Sequence, residues 1–206
     1  MGLGQSAGEV REMPPATQSA LYRSLEALPE GLTGEILNGQ IHAQSRPSLP
    51  HVMTGFMLGA TLLDPFQKDI GGPDGWWIII EPEVHFVQDI EVTVPDLAGW
   101  RHERISHLPK GHRIEIVPDW VCEILSPYTA SRGREVKMPL YAHYGVQYAW
   151  LIDPTKRMLE TYRLAADAWI ETGRFADANQ VAVLPFEAVS LDLEALWLPQ
   201  DEQLSG

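Results

Sequence analysis

The sequence predicts an α/β or α+β fold: a mixed β-sheet flanked by helices, with an N-terminal helix and a β-hairpin leading into it. Two segments at helical spacing come first, carrying Leu21, Leu25 and Leu28, then Val52, Met53, Phe56, Leu62 and Leu63. Short segments rich in β-branched and aromatic residues follow at 76–80, 84–88, 91–94 and 119–125, punctuated by Pro82, Pro95 and Pro118. One further helical pattern, 134–144, then falls between two strand signals.

The elements can be justified in order. Residues 1–15 are polar, carry Gly and Pro and lack periodicity, so a mobile N-terminal tail is expected there, with a second tail at 199–206 and a single domain over 16–198. Thr17 is expected to cap the first helix and Pro29 to close it. Asn38-Gly39, between 34–37 and 40–43, is a hairpin signal because both residues tolerate positive φ. Asp64-Pro65 should end the second helix, and Gly71–Gly75 should form a loop. Residues 101–113, with several Arg and His, read as a loop between strands. Gly145 is placed to stop the helix at 134–144. Tyr148–Ile152 reads as a strand ended by Asp153-Pro154. A hairpin follows (158–164 and 168–171, around Ala165-Ala166-Asp167), then a strand at 179–183 and a short closing helix or turn at 190–197.

With 206 residues, 45% of them hydrophobic, the chain can bury a full core. Its single cysteine, Cys122, cannot form an internal disulfide. No cationic leader precedes an apolar run, and the longest such run, Trp76–Ile80, is far too short to span a bilayer, which predicts a cytoplasmic protein with no membrane partner. Met1–Ser6 matches the short myristoylation pattern, a weak signal. The formal net charge of −13 and pI of 4.8 argue against sequence-blind binding to phosphate backbones through a broad basic surface. Action on nucleic acid would need local neutralisation, by metal ions or by Arg101, Arg104, Lys110, Arg113, Arg132 and Arg134.

The chemistry-bearing residues are Asp96, in Val94-Pro95-Asp96 at the end of one apolar strand, Glu123 within the next, and Lys137 on the following helix. Two carboxylates are hard oxygen ligands for Mg²⁺ or Mn²⁺, and leave positions for water and phosphate oxygens. A lysine beside them can orient water and stabilise charge building on phosphorus. Each residue also has a structural reading: Asp96 as a turn-former after proline, Glu123 as an exposed strand residue, Lys137 as a snorkelling surface lysine. Alternation puts Glu123 on the same face as Val121 and Leu125, and a carboxylate there needs a partner or a metal. Val136, Leu140 and Tyr144 form the apolar stripe of the helix, with Lys137 and Tyr141 at its border.

Gly75-Trp76-Trp77, Glu81-Pro82-Glu83, the stretch 94–101, the stretch 118–127, Lys137, Tyr141, Gly145-Val146 and the stretch 150–154 together resemble the Uma-two family of putative restriction endonucleases, part of the PD-(D/E)XK nuclease superfamily. The resemblance runs from about 16 to 198 and is specific over 94–154. It implies a restriction-endonuclease-like core and an Mg²⁺-dependent (or Mn²⁺-dependent) endonuclease acting on DNA, as a homodimer by analogy. Asp96 and Glu123 match the two acidic residues of the signature and would bind the metal. The signature lysine normally stands two residues after the glutamate, where this chain has Leu125; Lys137 takes its place from the helix. Glu35 matches an acidic position near the family's N-terminus, as an accessory to the metal site; its structural reading is an edge-strand residue beside the hairpin turn. Family members often carry an aspartate four residues before the helix lysine, where this chain has Gly133. Arg101, Arg104, Arg132 and Arg134 are candidate phosphate contacts.

Other signals point elsewhere or nowhere. His102, His107 and His112 recur every five residues, which does not stack on a helix and lacks zinc-site spacing, so exposed loop histidines are expected. Cys122 should face away from Glu123 as a buried thiol, and the tryptophans of strand patterns should be core. Two alternatives stay open on sequence: a nuclease-fold binding module that has lost cleavage, and a metal hydrolase of small phosphodiesters, which an acidic surface would handicap less.

Overall fold

The computed structural model describes residues 15–176 and 180–198. The expected tails at 1–14 and 199–206, and the start of the strand expected at 179, lie outside the described residues.

Helix α1 (Pro15–Glu26) begins ahead of Thr17, which therefore lies inside the helix rather than capping it. Proline at the first helical position sacrifices only an amide that would have no intrahelical acceptor. The helix buries Tyr22 and Leu25 against Ile36 and Val92. Strands β1 (Thr33–Leu37) and β2 (Gln40–Gln44) form the expected hairpin, with Asn38 and Gly39 at φ of 52° and 73°. Helix α2 (Leu49–Gln67) carries Pro65 within its last turn instead of ending there. Pro65 gives up one intrahelical hydrogen bond, and the helix closes through a wider turn, from Lys68 N to Leu63 O.

Strands β3 (Trp76–Ile80), β4 (Glu83–Val87) and β5 (Glu91–Thr93) follow the sequence pattern closely. Three strands were not legible, one of them Leu191–Asp192 within the stretch 190–197 expected as a closing helix or turn. Leu97–Arg101 is β6, a five-residue strand whose Ala-Gly centre hides its β character, and Arg113–Ile114 is a short β7 in the expected loop. Strand β8 (Trp120–Ile124) leads into a helical run made of α3 (Ala130–Arg132), a π-helical turn (Gly133–Lys137) and α4 (Met138–His143). Gly145, at φ 82°, ends it in the left-handed conformation expected of a C-terminal cap. Strands β9 (Tyr148–Asp153), β10 (Met158–Ala165) and β11 (Ala168–Ala176) continue the fold; β11 runs five residues beyond the expected end at 171 because it pairs with β10 along its length. Strands β12 (Gln180–Val181) and β13 (Leu191–Asp192) and a 3₁₀ turn, Glu194–Leu196, close the described chain.

The strands form two larger mixed sheets rather than one. The first has the order β2-β1-β5-β4-β7 and the second β11-β10-β9-β8-β6-β3, with β12-β13 as a separate pair. The parallel neighbours are β4 with β7 and β8 with β9; the helical run supplies the crossover that a parallel β8–β9 pair requires.

Alternation along β8 divides the core. Trp120, Cys122 and Ile124 face a layer containing Leu58, Leu62 and Phe66 of α2. Val121 and Leu125 face a layer containing Leu140 and Tyr141 of α4. Trp100, Trp120 and Trp150 are fully buried, and truncating any one to alanine costs about 3–5 kcal/mol. Among the described residues, no helix is long and apolar enough to cross a membrane.

Candidate active site

Val94-Pro95-Asp96 is the passage of the chain from one sheet to the other, between β5 and β6. Asp96 thus precedes the unforeseen strand β6 instead of ending the strand before it. Pro95 cannot donate to a ladder, which suits a residue that leaves one sheet for another. Glu35 comes from β1 of the first sheet, Glu123 from β8 of the second, and Lys137 from the end of the π-helical turn. These four side chains line one small cavity of about 30 Å³.

Lys137 is 4% exposed and Glu35 1%. The Lys137 ammonium lies 2.8 Å from Glu35 and 2.7 Å from Glu123, and donates to the Val94 carbonyl at 3.2 Å. Both the snorkelling reading of Lys137 and the edge-strand reading of Glu35 are therefore excluded. Strand β1 is interior to its sheet, between β2 and β5, and Glu35 accepts a hydrogen bond from Val94 N at 2.8 Å. Tyr141, one helical turn beyond Lys137, donates to Glu123 at 2.5 Å. Lys137 and Tyr141 belong to the most buried face of this helix rather than to its border, because the carboxylates satisfy their polar ends.

Asp96 accepts the Ile124 amide through one oxygen and contacts His51 Nε2 at 2.8 Å through the other. His51, in the first turn of α2, was not singled out by sequence reasoning. A histidine beside a helix start has no spacing relation to Asp96, and only the packing of α2 on the second sheet brings them together.

Three carboxylates and one ammonium share this buried place, so negative charge is in excess. Burial pushes the Glu123 carboxyl up to about 7; Lys137 opposes that, while Asp96 and Glu35 add to it. Burial lowers the Lys137 ammonium, but Glu123 and Glu35 outweigh it and hold the group well above its ordinary value. His51 is also lowered by burial and raised further by Asp96, Glu123 and Glu81, with a net upward shift. Burial is the largest influence on Glu123, and the carboxylates' share of each shift reflects a demand for positive charge at this place.

That demand is the test of whether a divalent cation fits. Asp96 and Glu123 are oxygen donors from two rigid elements, adjoin a cavity with room for a water-sized species, and lie in a field that favours a cation. Among the described residues, no group of three or more His, Cys, Asp or Glu is arranged to hold a metal. A metal here would be held by two carboxylates and complete its shell with water and substrate, as Mg²⁺ commonly does.

The candidate phosphate contacts scatter. Arg132 lines the cavity and donates to Gln44 at 3.3 Å. Arg134 turns away and pairs with the buried Glu160 of β10. Arg101, at the opposite end of β6 from Asp96, stacks over Trp76, and Arg104 pairs with Asp119 at 2.7 Å. Of the four, only Arg132 adjoins the carboxylates; the others answer to local structural partners. Arg113 pairs with Glu26. His107 and His112 are exposed, but His102 packs on Trp77 and faces Asp74 at 3.9 Å. Cys122 is fully buried, and burial pushes its thiol well above the ordinary range.

Carboxylates from two sheets and a lysine carried by a helix thus meet at one small cavity, which does not by itself name the family of the chain. Comparison with known proteins does so. The family described as "Uma2: Putative restriction endonuclease" matches residues 19–194, and the chain belongs to that family. A solved protein from Anabaena variabilis ATCC 29413, described as a putative nuclease belonging to DUF820, superposes with a TM-score of 0.68 at 24% identity, covering 85% of this chain and 96% of its own. That likeness establishes the restriction-endonuclease-like fold. No curated protein matches.

Proposed function

We propose that the protein is a metal-dependent endonuclease that hydrolyses phosphodiester bonds in DNA. The observation that carries this reading is the convergence of Glu35, Asp96, Glu123 and Lys137 on one cavity from three separate elements and the crossover between the sheets. Ordinary structural roles do not require so many ionised groups in one buried spot, where each costs several kcal/mol to desolvate, on the order of the stability of a small domain.

Asp96 and Glu123 would hold Mg²⁺ or Mn²⁺. Such an ion, when bound, lowers the pKa of a water and offsets the charge gathering on phosphorus. Lys137 has three donors, two of them engaged by carboxylates at short range. The third, at 3.2 Å from the Val94 carbonyl, is the weakest contact and the one available to orient water and stabilise the developing charge. Tyr141 and Glu35 fix the neighbours of that ammonium, and His51 fixes Asp96.

The test pairs calorimetric titration of Mn²⁺ with plasmid nicking. Wild-type protein should bind the metal and nick, Asp96→Asn should lose both, and Lys137→Ala should bind metal but fail to nick. Metal binding that survives Asp96→Asn unchanged would sink the assignment.

A further inference from the structure

We infer that the substrate is an unpaired polynucleotide strand, seated in the groove outside the cavity with a base stacked on Tyr128. The inference rests on the nuclease reading for its chemistry but not for its binding.

A groove of about 550 Å³ adjoins the cavity and shares Gln44, His51, Asp96, Thr129 and Arg132 with it. Its volume falls within the roughly 300–1,000 Å³ of small-ligand sites, enough for one or two nucleotide units rather than the flank of a duplex. One wall is the segment from β2 to the start of α2, including Arg46; the other is the turn after β8, including Tyr128.

Tyr128 is 94% exposed, an unusual state for a large aromatic ring on a fixed backbone. The turn is held tightly. Ser126 N donates to Thr129 Oγ1 at 3.1 Å, Thr129 N donates to Ser126 Oγ at 3.2 Å, and the two hydroxyls lie 2.9 Å apart. Nothing in the fold requires an aromatic residue at this position, since its ring does not join the core. Yet it stands five residues beyond Glu123, at the mouth of the site.

The charge distribution selects the substrate class. The groove offers Arg46, Arg132 and His51 against Glu81 and Asp96, on a chain of net charge −13. Affinity for a duplex grows with the number of phosphates neutralised, and this surface neutralises few. Stacking on an aromatic ring depends little on charge, but it needs a base whose face is free, which a paired strand does not offer.

The experiment uses fluorescence anisotropy with labelled oligo-dT and oligo-rU of twelve residues and a DNA duplex of equal length, without added divalent metal, alongside Mn²⁺-dependent turnover of a small chromogenic phosphodiester. At least one single strand should bind about tenfold more tightly than the duplex, in the range a stacked base contributes. Tyr128→Ala should remove that preference, Tyr128→Trp should keep it, and turnover of the small phosphodiester should be the same in all three proteins. A duplex that binds as well as both single strands, or binding indifferent to Tyr128→Ala, overturns the inference. Absence of phosphodiester turnover with strand binding intact would instead count against the nuclease reading alone.

Discussion

Glu35 of the first hairpin and Lys137 of the π-helical turn meet at 2.8 Å, both almost wholly buried, and so tie the first sheet to the helix that covers the second. A link of this kind is costly to cut on one side, because the surviving charge stays buried without its counterpart.

Lys137→Met should therefore lower stability by about 3–5 kcal/mol, as read from urea denaturation. The double substitution Glu35→Gln with Lys137→Met should recover part of that loss, giving a coupling energy on the order of 1–3 kcal/mol in a double-mutant cycle. Additive effects would show that the two groups do not depend on each other.

The pH dependence of stability has a definite sign. Glu123 and His51 both have folded-state pKa values above their ordinary ones, Glu123 at about 7. Their contributions are complete below the unfolded values and are lost as pH rises through the folded ones. Glu83 and Glu160 act oppositely: burial raises each, but His85 and Tyr22 for the first, and Arg134 and Tyr162 for the second, prevail and lower it. Their contribution fades on acidification. The metal-free protein should thus melt lower at pH 8 than at pH 5.5, and Mn²⁺ should raise the melting temperature more at pH 8. Equal metal-induced shifts at both pH values in differential scanning calorimetry would contradict this.

His51 holds one oxygen of Asp96. A group that orients a ligand usually contributes about tenfold to a hundredfold in metal affinity. His51→Ala should weaken Mn²⁺ binding by that factor while leaving the fold intact by circular dichroism, since the His51 ring belongs to none of the apolar layers.

Gly133 is buried, and a Cβ built there would stand 3.0 Å from Leu125 Cδ2. An aspartate at this position therefore crowds Leu125 before it can do anything for Lys137. Gly133→Asp should destabilise by about 1–3 kcal/mol, and Leu125→Ala in the same chain should relieve the crowding component, which thermal melts of Gly133→Asp, Leu125→Ala and the double variant would resolve.

Much of this was legible in the chain. The Asn38-Gly39 turn, the alternation that sends Val121 and Leu125 to one apolar layer and Trp120, Cys122 and Ile124 to the other, and the stop at Gly145 are local rules that tertiary packing did not override. Strand β6 escaped because Ala98-Gly99 has no β preference; Gly99 is small because Trp76 and Trp120 would lie 3.1 and 3.2 Å from a Cβ there, a constraint set by distant residues. The same holds for the site. Asp96, Glu123 and Lys137 were recognisable by motif, whereas His51 and the dispersal of Arg101, Arg104 and Arg134 to structural partners follow from contacts between elements remote in sequence.

The five-residue π-helical turn ending at Lys137 holds one residue more than an ordinary helical winding would. It absorbs one residue without turning the chain that precedes it: were the same residues all wound at regular α-helical pitch, everything upstream would swing by about 100° relative to Lys137 and Tyr141. Arg134 would then lose Glu160, and Arg132 would leave the mouth of the cavity. The helix thus serves two masters, the flank of β10 and the carboxylates, only because its winding is locally out of step.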